Sequence, residues 1–305
     1  MTRAAPTWAA LVFCYGLWAA SLWLAGSMTG GLSALALVLL TGPAITLHAS
    51  LQHEALHGHP TRSALWNEAL VFPALNLLFP YRRFKTLHLR HHRDERLTDP
   101  YEDPESFYLA EAEWTALPGP LRTALRANAT LLGRLVLGPW LGAIGMWRAD
   151  RREAAASARA RAMIGGAYLR HLAGAALALG IAWGAFGVSP AAYLLFAAWP
   201  GVSLLMLRTY AEHRAAERVG ARTAIVEAET PLAFLFLNNN LHAVHHAHPR
   251  APWFALPGLW RAERRRFLAE NDGYLIGGYR EIAARWLLRA KEPVVHPILR
   301  RGARR

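Results

Sequence analysis

Hydropathy divides this chain into two long uncharged stretches and a set of basic connections. From Ala4 to Gln52 no Asp, Glu, Lys or Arg occurs, more than twice the ~20 apolar residues that one spanning helix needs. The turn formers Ala25-Gly-Ser-Met-Thr-Gly-Gly31 interrupt it, so the pattern predicts two spans, about 8–27 and 31–50. A second uncharged stretch, His171 to Leu207, breaks at Gly187-Val-Ser-Pro190 and predicts spans at about 166–187 and 189–208. Ala69 to Tyr81 and Leu135 to Trp147 are apolar but bounded by charges and too short to cross, which predicts interfacial positions. A cleaved signal peptide has one apolar core of about 7–15 residues, and the first stretch is roughly three times that, so a retained anchor is expected.

The expected fold class is all-α: a membrane protein with two transmembrane helical hairpins, four spans in all, and a cytoplasmic helical cap over about 51–165 and 209–305. Together these form one domain over 1–305. Both hairpin tips are uncharged, whereas Arg82-Arg83-Phe84-Lys85, Arg148 to Arg161, Arg208 to Arg222 and Arg261 to Arg266 are basic. By the positive-inside rule, everything outside the hairpins is expected on the cytoplasmic face of the cell membrane. Trp8, Trp23, Trp147 and Trp199 fall near the predicted span ends, where amphipathic rings sit. Arg151 to Ala162 reads as a short cytoplasmic helix, and Arg300 to Arg305 as a basic tail on the inner leaflet.

Composition supports this picture. With 53% apolar residues and a mean hydropathy of +0.12, the chain is too oily for disorder. Lys+Arg 34 against Asp+Glu 21 leaves +13. Such an excess raises nucleic acid as a partner, but the membrane accounts for it, and no nucleic acid is expected. The single Cys14, inside an apolar run, excludes internal disulfides and thiolate metal sites.

The candidate chemistry lies in the histidines. His53 and His57 are four apart in HEALH, His88, His91 and His92 form HLRHH, and His242, His245 and His246 form HAVHH. On a helix, positions i, i+3 and i+4 share one face, so each cluster presents its imidazoles in one direction. One H-x-x-H-H is expected by chance in roughly a few per cent of chains like this one, and two far less often. Imidazoles without thiolate suit iron, copper, zinc or nickel, and eight or nine of them exceed one coordination shell, which implies two ions.

These three boxes, spaced around two membrane hairpins, resemble the integral-membrane fatty-acid desaturase and hydroxylase superfamily from about Gly31 to Pro257. The continuation HAVHHAHPRAPWFALP and Asp103-Pro104-Glu105 after the second box resemble it too. Members commonly have one more ligand at the end of the fourth span, which Arg208-Thr-Tyr-Ala-Glu-His-Arg214 offers as His213. That segment resembles the Glu-His element of alkane and carotenoid oxygenases, since Thr209 stands where acyl-CoA desaturases have Asn. The resemblance implies a non-haem di-iron centre of two Fe ions on His53, His57, His88, His91, His92, His213, His242, His245 and His246, with O2 as co-substrate. It also implies a separate electron donor, a ferredoxin or cytochrome type with its reductase, which the basic cytoplasmic face would attract if acidic. The expected reaction is hydrogen abstraction from an unactivated C–H bond, desaturating a fatty-acyl or lipid-like chain. The alternative is a hydroxylase or ketolase of the same superfamily acting on an alkane, a carotenoid or a small polar substrate.

Glu54, Glu212, Asp94 and Asn238 neighbour these ligands and are candidates to accept the second imidazole N–H. Asn238, four before His242 on a helix opened by Thr230-Pro231, is expected to reach the site. His59 and His248 break the spacing and read as supporting or surface groups; His48, His171 and His296 read as structural. HEALH also matches the zinc-protease pattern with Glu54 as general base, but that reading leaves the other two boxes unexplained. A haem carrier or metal transporter needs axial pairs or polar groups within the spans, whereas the boxes lie outside them.

Overall fold

The computed structural model describes residues 4–92, 96–228 and 231–299, so Asp94, Thr230 and Arg300 to Arg305 lie outside the described residues. The chain is mostly helical. In order, α1 spans Ala5–Gly26, α2 Gly30–Leu56, α3 Ala64–Leu70, α4 Tyr81–His91, α5 Glu111–Ala116, α6 Gly119–Asn128, α7 Leu131–Ala156, α8 Ala158–Phe186 and α9 Pro190–Glu212. There follow β1 Ile225–Val226, α10 Leu232–Leu235, α11 His242–Ala247, α12 Leu256–Glu270, β2 Leu275–Ile276 and α13 Tyr279–Trp286. Among the described residues, α1, α2, α8 and α9 are the helices long and apolar enough to cross a membrane. The chain divides into two compact units, Met1–Lys85 with Pro139–Leu205 and Thr86–Gly138 with Met206–Arg305.

The first unit is built from the four apolar helices. Trp18, Leu22, Leu37, Ile45, Tyr193 and Ala197 form its core, while Phe13, Trp23, Leu39, Leu172 and Trp183 stay exposed, as a lipid-facing surface requires. Two helices are locally widened: Leu37–Thr41 in α2 and Leu194–Ala198 in α9 form π-turns. Pro43 and Pro200 each follow two residues after their π-turn, and neither can donate to the preceding turn. The helices approach closely there, because a Cβ on Gly201 would lie 2.7 Å from the carbonyl oxygen of Gly42 and 2.8 Å from Cβ of Ile45. Thr46 Oγ1 donates to the Gly201 carbonyl at 2.8 Å, the small-residue contact plus interhelical hydrogen bond that holds helices together where water cannot help.

The connection over Leu70 to Leu77 keeps its backbone satisfied by borrowing side chains from the apolar helices. Tyr15 donates to Leu70 O, Gln52 to Val71 O, Tyr193 to Leu75 O and His171 to Leu77 O. Irregular backbone packed against apolar helices needs such partners. Arg83 is buried with Asp150 at 2.7 Å and Glu153 at 2.6 Å. The short helix expected over Arg151 to Ala162 does not exist as a unit: Ser157 ends α7 and starts α8. Its extended backbone and its side chain, accepting from Ala160 N, make it an N-cap in the middle of that Ala/Arg stretch.

In the second unit, the parallel pair β1–β2 aligns Ile225 with Leu275 and Val226 with Ile276, a small departure from all-helical architecture. Ile225, Leu241, Val244, Leu256, Trp260 and Phe267 pack beneath it. Val226 N donates to Asn240 O and Ala243 N to Ala224 O, so this strand pins the start of α11. The C-terminal segment is tied down as well, with Thr130 bridged to Ala290 and Leu109 to Val295.

Replacing Gly201 with Val is expected to destabilise the protein by about 1–3 kcal/mol, because the Gly42 carbonyl and the branch point of Ile45, neither a flexible side-chain end, occupy the added volume. Thermal unfolding in detergent measures this, and an unchanged midpoint would refute the close crossing.

Candidate metal centre

Seven of the nine predicted ligands come together in the second unit. Five lie on short helices: His88 and His91 on α4, and His242, His245 and His246 on α11. His92 directly follows α4, and His213 directly follows α9. The other two, His53 on α2 and His57 at its C-cap, belong to the first unit, where their ring centroids lie 4.8 Å apart.

Within the second unit the imidazoles sort into two groups. In one, His92 Nε2 lies 3.0 Å from His88 Nε2 and 3.0 Å from His245 Nε2. In the other, His242 Nε2 lies 3.1 Å from both His213 Nε2 and His246 Nε2. His91 joins this second group, with all four ligand atoms within 4.8 Å of one another.

The far ring nitrogens explain why so many Nε2 atoms can face each other. His213 Nδ1 donates to the Arg222 carbonyl at 3.2 Å, His88 Nδ1 to Glu105 at 3.0 Å, His91 Nδ1 to Asp103 at 2.8 Å and His242 Nδ1 to Asn239 Oδ1 at 3.2 Å. A neutral imidazole has one proton, so on His213 and His242 the Nδ1 donor leaves a bare lone pair on Nε2. His213 and His242 therefore meet lone pair to lone pair, and the buried Nε2 of His91 has no hydrogen-bond partner. Only a cation between them turns that arrangement from repulsive to favourable. The spacing also fits, since ligands at about 2.1 Å in adjacent octahedral positions sit about 3.0 Å apart, against about 3.4 Å for a tetrahedron.

Electrostatics prepares the same groups. Burial, reinforced by the other imidazoles, holds His242 and His246 well below the usual histidine range, and burial with the charge of His91 lowers His213 to about 3. All three stay neutral and ligand-ready. His91 goes the other way: burial opposes its charge, but the Asp103 hydrogen bond and the charges of Glu105, Asp103 and Glu212 lift it to about 9. Burial likewise works against charge on Asp103 and Glu105, yet the histidines hold both below the usual carboxylate range. Asp103 is further fixed by the backbone N–H groups of Thr98 and Glu105, at 2.7 and 2.9 Å.

The expected supporting residues fare unevenly. Glu212, buried beside Arg208 at 2.9 Å, lies 3.4 Å from His242 Nδ1. Asn238 does not reach the site. The chain turns at Leu237 and Asn238, with φ of 47° and 56°, so no helix continues from Pro231 to His242, and Asn238 donates instead to Trp253 O. Its neighbour Asn239 takes the expected role. Glu54 is buried in the first unit, and Asp94 lies outside the described residues. Sequence reasoning missed Asp103 and Glu105 as imidazole partners, although Asp-Pro-Glu after the second box was the available signal. His48 meets Tyr15 Oη at 3.2 Å, and His296 Nδ1 accepts from Ile298 N and Leu299 N. His248 forms the C-cap of α11.

Four apolar helices and a thiolate-free histidine cluster define a membrane metalloprotein. The fatty acid desaturase family matches residues 31–278, and the chain belongs to that family: it is an integral-membrane oxidoreductase of a family that uses iron. No curated protein matches the chain.

Replacing Asp103 with Asn is expected to weaken metal binding roughly 10–100-fold by loosening His91; competition with a chelator measures it, and unchanged retention would refute the role. A second expectation concerns protons. Below its folded pKa of about 9 the metal-free His91 carries a proton that coordination must expel. In the metal-free protein this raised pKa stabilises the fold fully below the ordinary value near 6.5, and that contribution is lost as pH rises through 9. Apparent metal affinity should thus climb about tenfold per pH unit between those limits and then level. Calorimetry in buffers of different ionisation enthalpy reads the released proton, and its absence at pH 7 would refute the assignment.

Proposed function

We propose that the protein is an O2-dependent di-iron oxidase that desaturates a fatty-acyl or lipid-like chain. Support comes chiefly from the two groups of facing Nε2 atoms, with Nδ1 protons fixed on the far side of the His88, His213 and His242 rings. In this reading His88, His92 and His245, completed by His53 and His57, hold one iron, and His91, His213, His242 and His246 hold the other. The iron pair would supply the oxidising power, with O2 and electrons from a separate ferredoxin or cytochrome-type donor, to take hydrogen from an unactivated C–H bond.

The chain's own groups do the rest. Asp103, Glu105, Asn239 and the Arg222 carbonyl keep protons on Nδ1 and so aim the ligand nitrogens. Apolar helices would admit an oily substrate while limiting water. We further propose that α1–α2 and α8–α9 are transmembrane hairpins and that the histidines face the cytoplasm, where the basic segments favour an acidic donor. The Glu212-His213 element, with Thr209, favours hydroxylation or ketolation of an alkane or carotenoid as the second reading.

Metal analysis of protein purified from iron-supplemented cells should find about two irons and little zinc per chain. His91→Ala and His245→Ala should each lower the iron content. Mass spectrometry of lipids from expressing cells should show loss of two hydrogens, whereas gain of one oxygen selects the second reading. Zinc alone, or iron content untouched by both substitutions, would overturn the proposal.

A further inference from the structure

The family match ends at residue 278, yet a stretch beyond it reaches two of the candidate ligands. Residues 290–299 are seated in the second unit by their backbone: Ala290 is bridged to Thr130 and Val295 to Leu109. Lys291 N donates to Ala129 O, Leu109 N to Val294 O and His296 N to Leu109 O. Main-chain bonds of this kind form whatever the side chains are. The side chains of Lys291, Glu292 and His296 make a second set of contacts.

Lys291 and Glu292 act on the end of α9. A helix leaves its last carbonyls without partners inside the helix, and a lysine can take them up. Lys291 Nζ donates to the carbonyl of His213 itself and, at 3.0 Å, to Tyr274 Oη, which in turn donates to Ala211 O at 3.1 Å. Glu292 accepts from Tyr108 Oη at 2.6 Å, and that same hydroxyl oxygen accepts from Ala215 N at 2.7 Å. The main chain is thus held at His213 and two residues to either side of it.

His296 acts on the other ligand. Its Nδ1 accepts from Ile298 N and Leu299 N, which puts the ring proton on Nε2, and Nε2 donates to Thr98 Oγ1 at 3.3 Å. Thr98 N donates to Asp103 at 2.7 Å, and Asp103 accepts from His91 Nδ1 at 2.8 Å. Both routes end in the same histidine group, since His91 and His213 stand together with His242 and His246.

We propose that Lys291 and His296 are positioning residues for one of the two metal ions, the one assigned to His91, His213, His242 and His246. The inference rests on the di-iron reading and adds to it that a segment outside the family match tunes the two ions unequally. Partners behind a ligand aim its nitrogen, and losing one typically weakens metal binding roughly 10–100-fold.

The test challenges the full-length, iron-loaded protein in detergent with increasing amounts of a ferrous chelator and counts the iron released per chain. Lys291→Met, which removes the donor but keeps a long side chain, and His296→Phe should each release about one iron at roughly 10–100-fold less chelator than wild type, while the other iron keeps its wild-type midpoint. Lys291→Arg and His296→Gln restore a donor and should bring the labile iron back close to wild type. A general loosening of the fold would instead shift both irons together. Hydrogen exchange on the metal-free proteins supplies a readout without iron: amides over 213–216 should exchange faster in Lys291→Met, and those over 242–247 at the wild-type rate. If Lys291→Met fails to fold, His296→Phe and His296→Gln carry the comparison. Loss of both irons together, loss of neither, no recovery in Lys291→Arg and His296→Gln, or unchanged exchange over 213–216 would overturn the proposal and leave the di-iron reading standing. A wild-type protein that holds no iron pair would overturn both.

Discussion

The second unit depends on where one proton sits on each of four imidazoles. His88, His91, His213 and His242 all give their Nδ1 proton to an acceptor on the outside of the cluster. For His213 and His242 this turns bare Nε2 lone pairs toward each other at 3.1 Å. Such packing of like dipoles is unfavourable by itself, and the surrounding fold supplies the restraint that keeps it assembled. The carboxylate of Asp103 is held by two backbone N–H groups, the Arg222 carbonyl by the turn before β1, and α11 by its hydrogen bonds to that strand.

The cluster also shows how one chain sets opposite protonation preferences within a few ångströms. His213, His242 and His246 are surrounded by other imidazoles and kept neutral by burial. His91, in the field of Asp103, Glu105 and Glu212, is driven to bind a proton. A metal ion bound there would replace that proton as the positive charge facing the carboxylates and so couple metal binding to pH.

The first unit solves a different problem. Its helices are apolar enough for lipid, so stability comes from close approach and from satisfying every backbone group internally rather than from excluding water. The crossing at Gly42 and Gly201, the Thr46 bond across it, and the side chains that serve the Leu70 to Leu77 backbone are three expressions of that constraint. Membership of the fatty acid desaturase family joins the two problems in one chain, a histidine cluster on one unit and an oily scaffold as the other.

Much of this was legible from residue order because it rests on local periodicity. Uncharged stretches announce helices that suit a membrane, and i, i+3, i+4 histidines announce faces able to bind metal, both within a few turns of one element. What the order of residues could not reveal depended on contacts between distant segments or on backbone turns. Asn239 rather than Asn238 serves His242 because the chain passes through positive φ at Leu237 and Asn238, and no helical spacing survives that turn. Ser157 splits an Ala/Arg stretch that reads as continuous because a cap competes with helix propensity there. Arg222 offers a carbonyl, which any residue type has, so its service to His213 left no mark in the sequence. Residue identity determined which groups could ligate metal and which helices suit lipid, while tertiary structure alone decided which nitrogen of each ring keeps its proton, since that is set by an acceptor brought in by the fold.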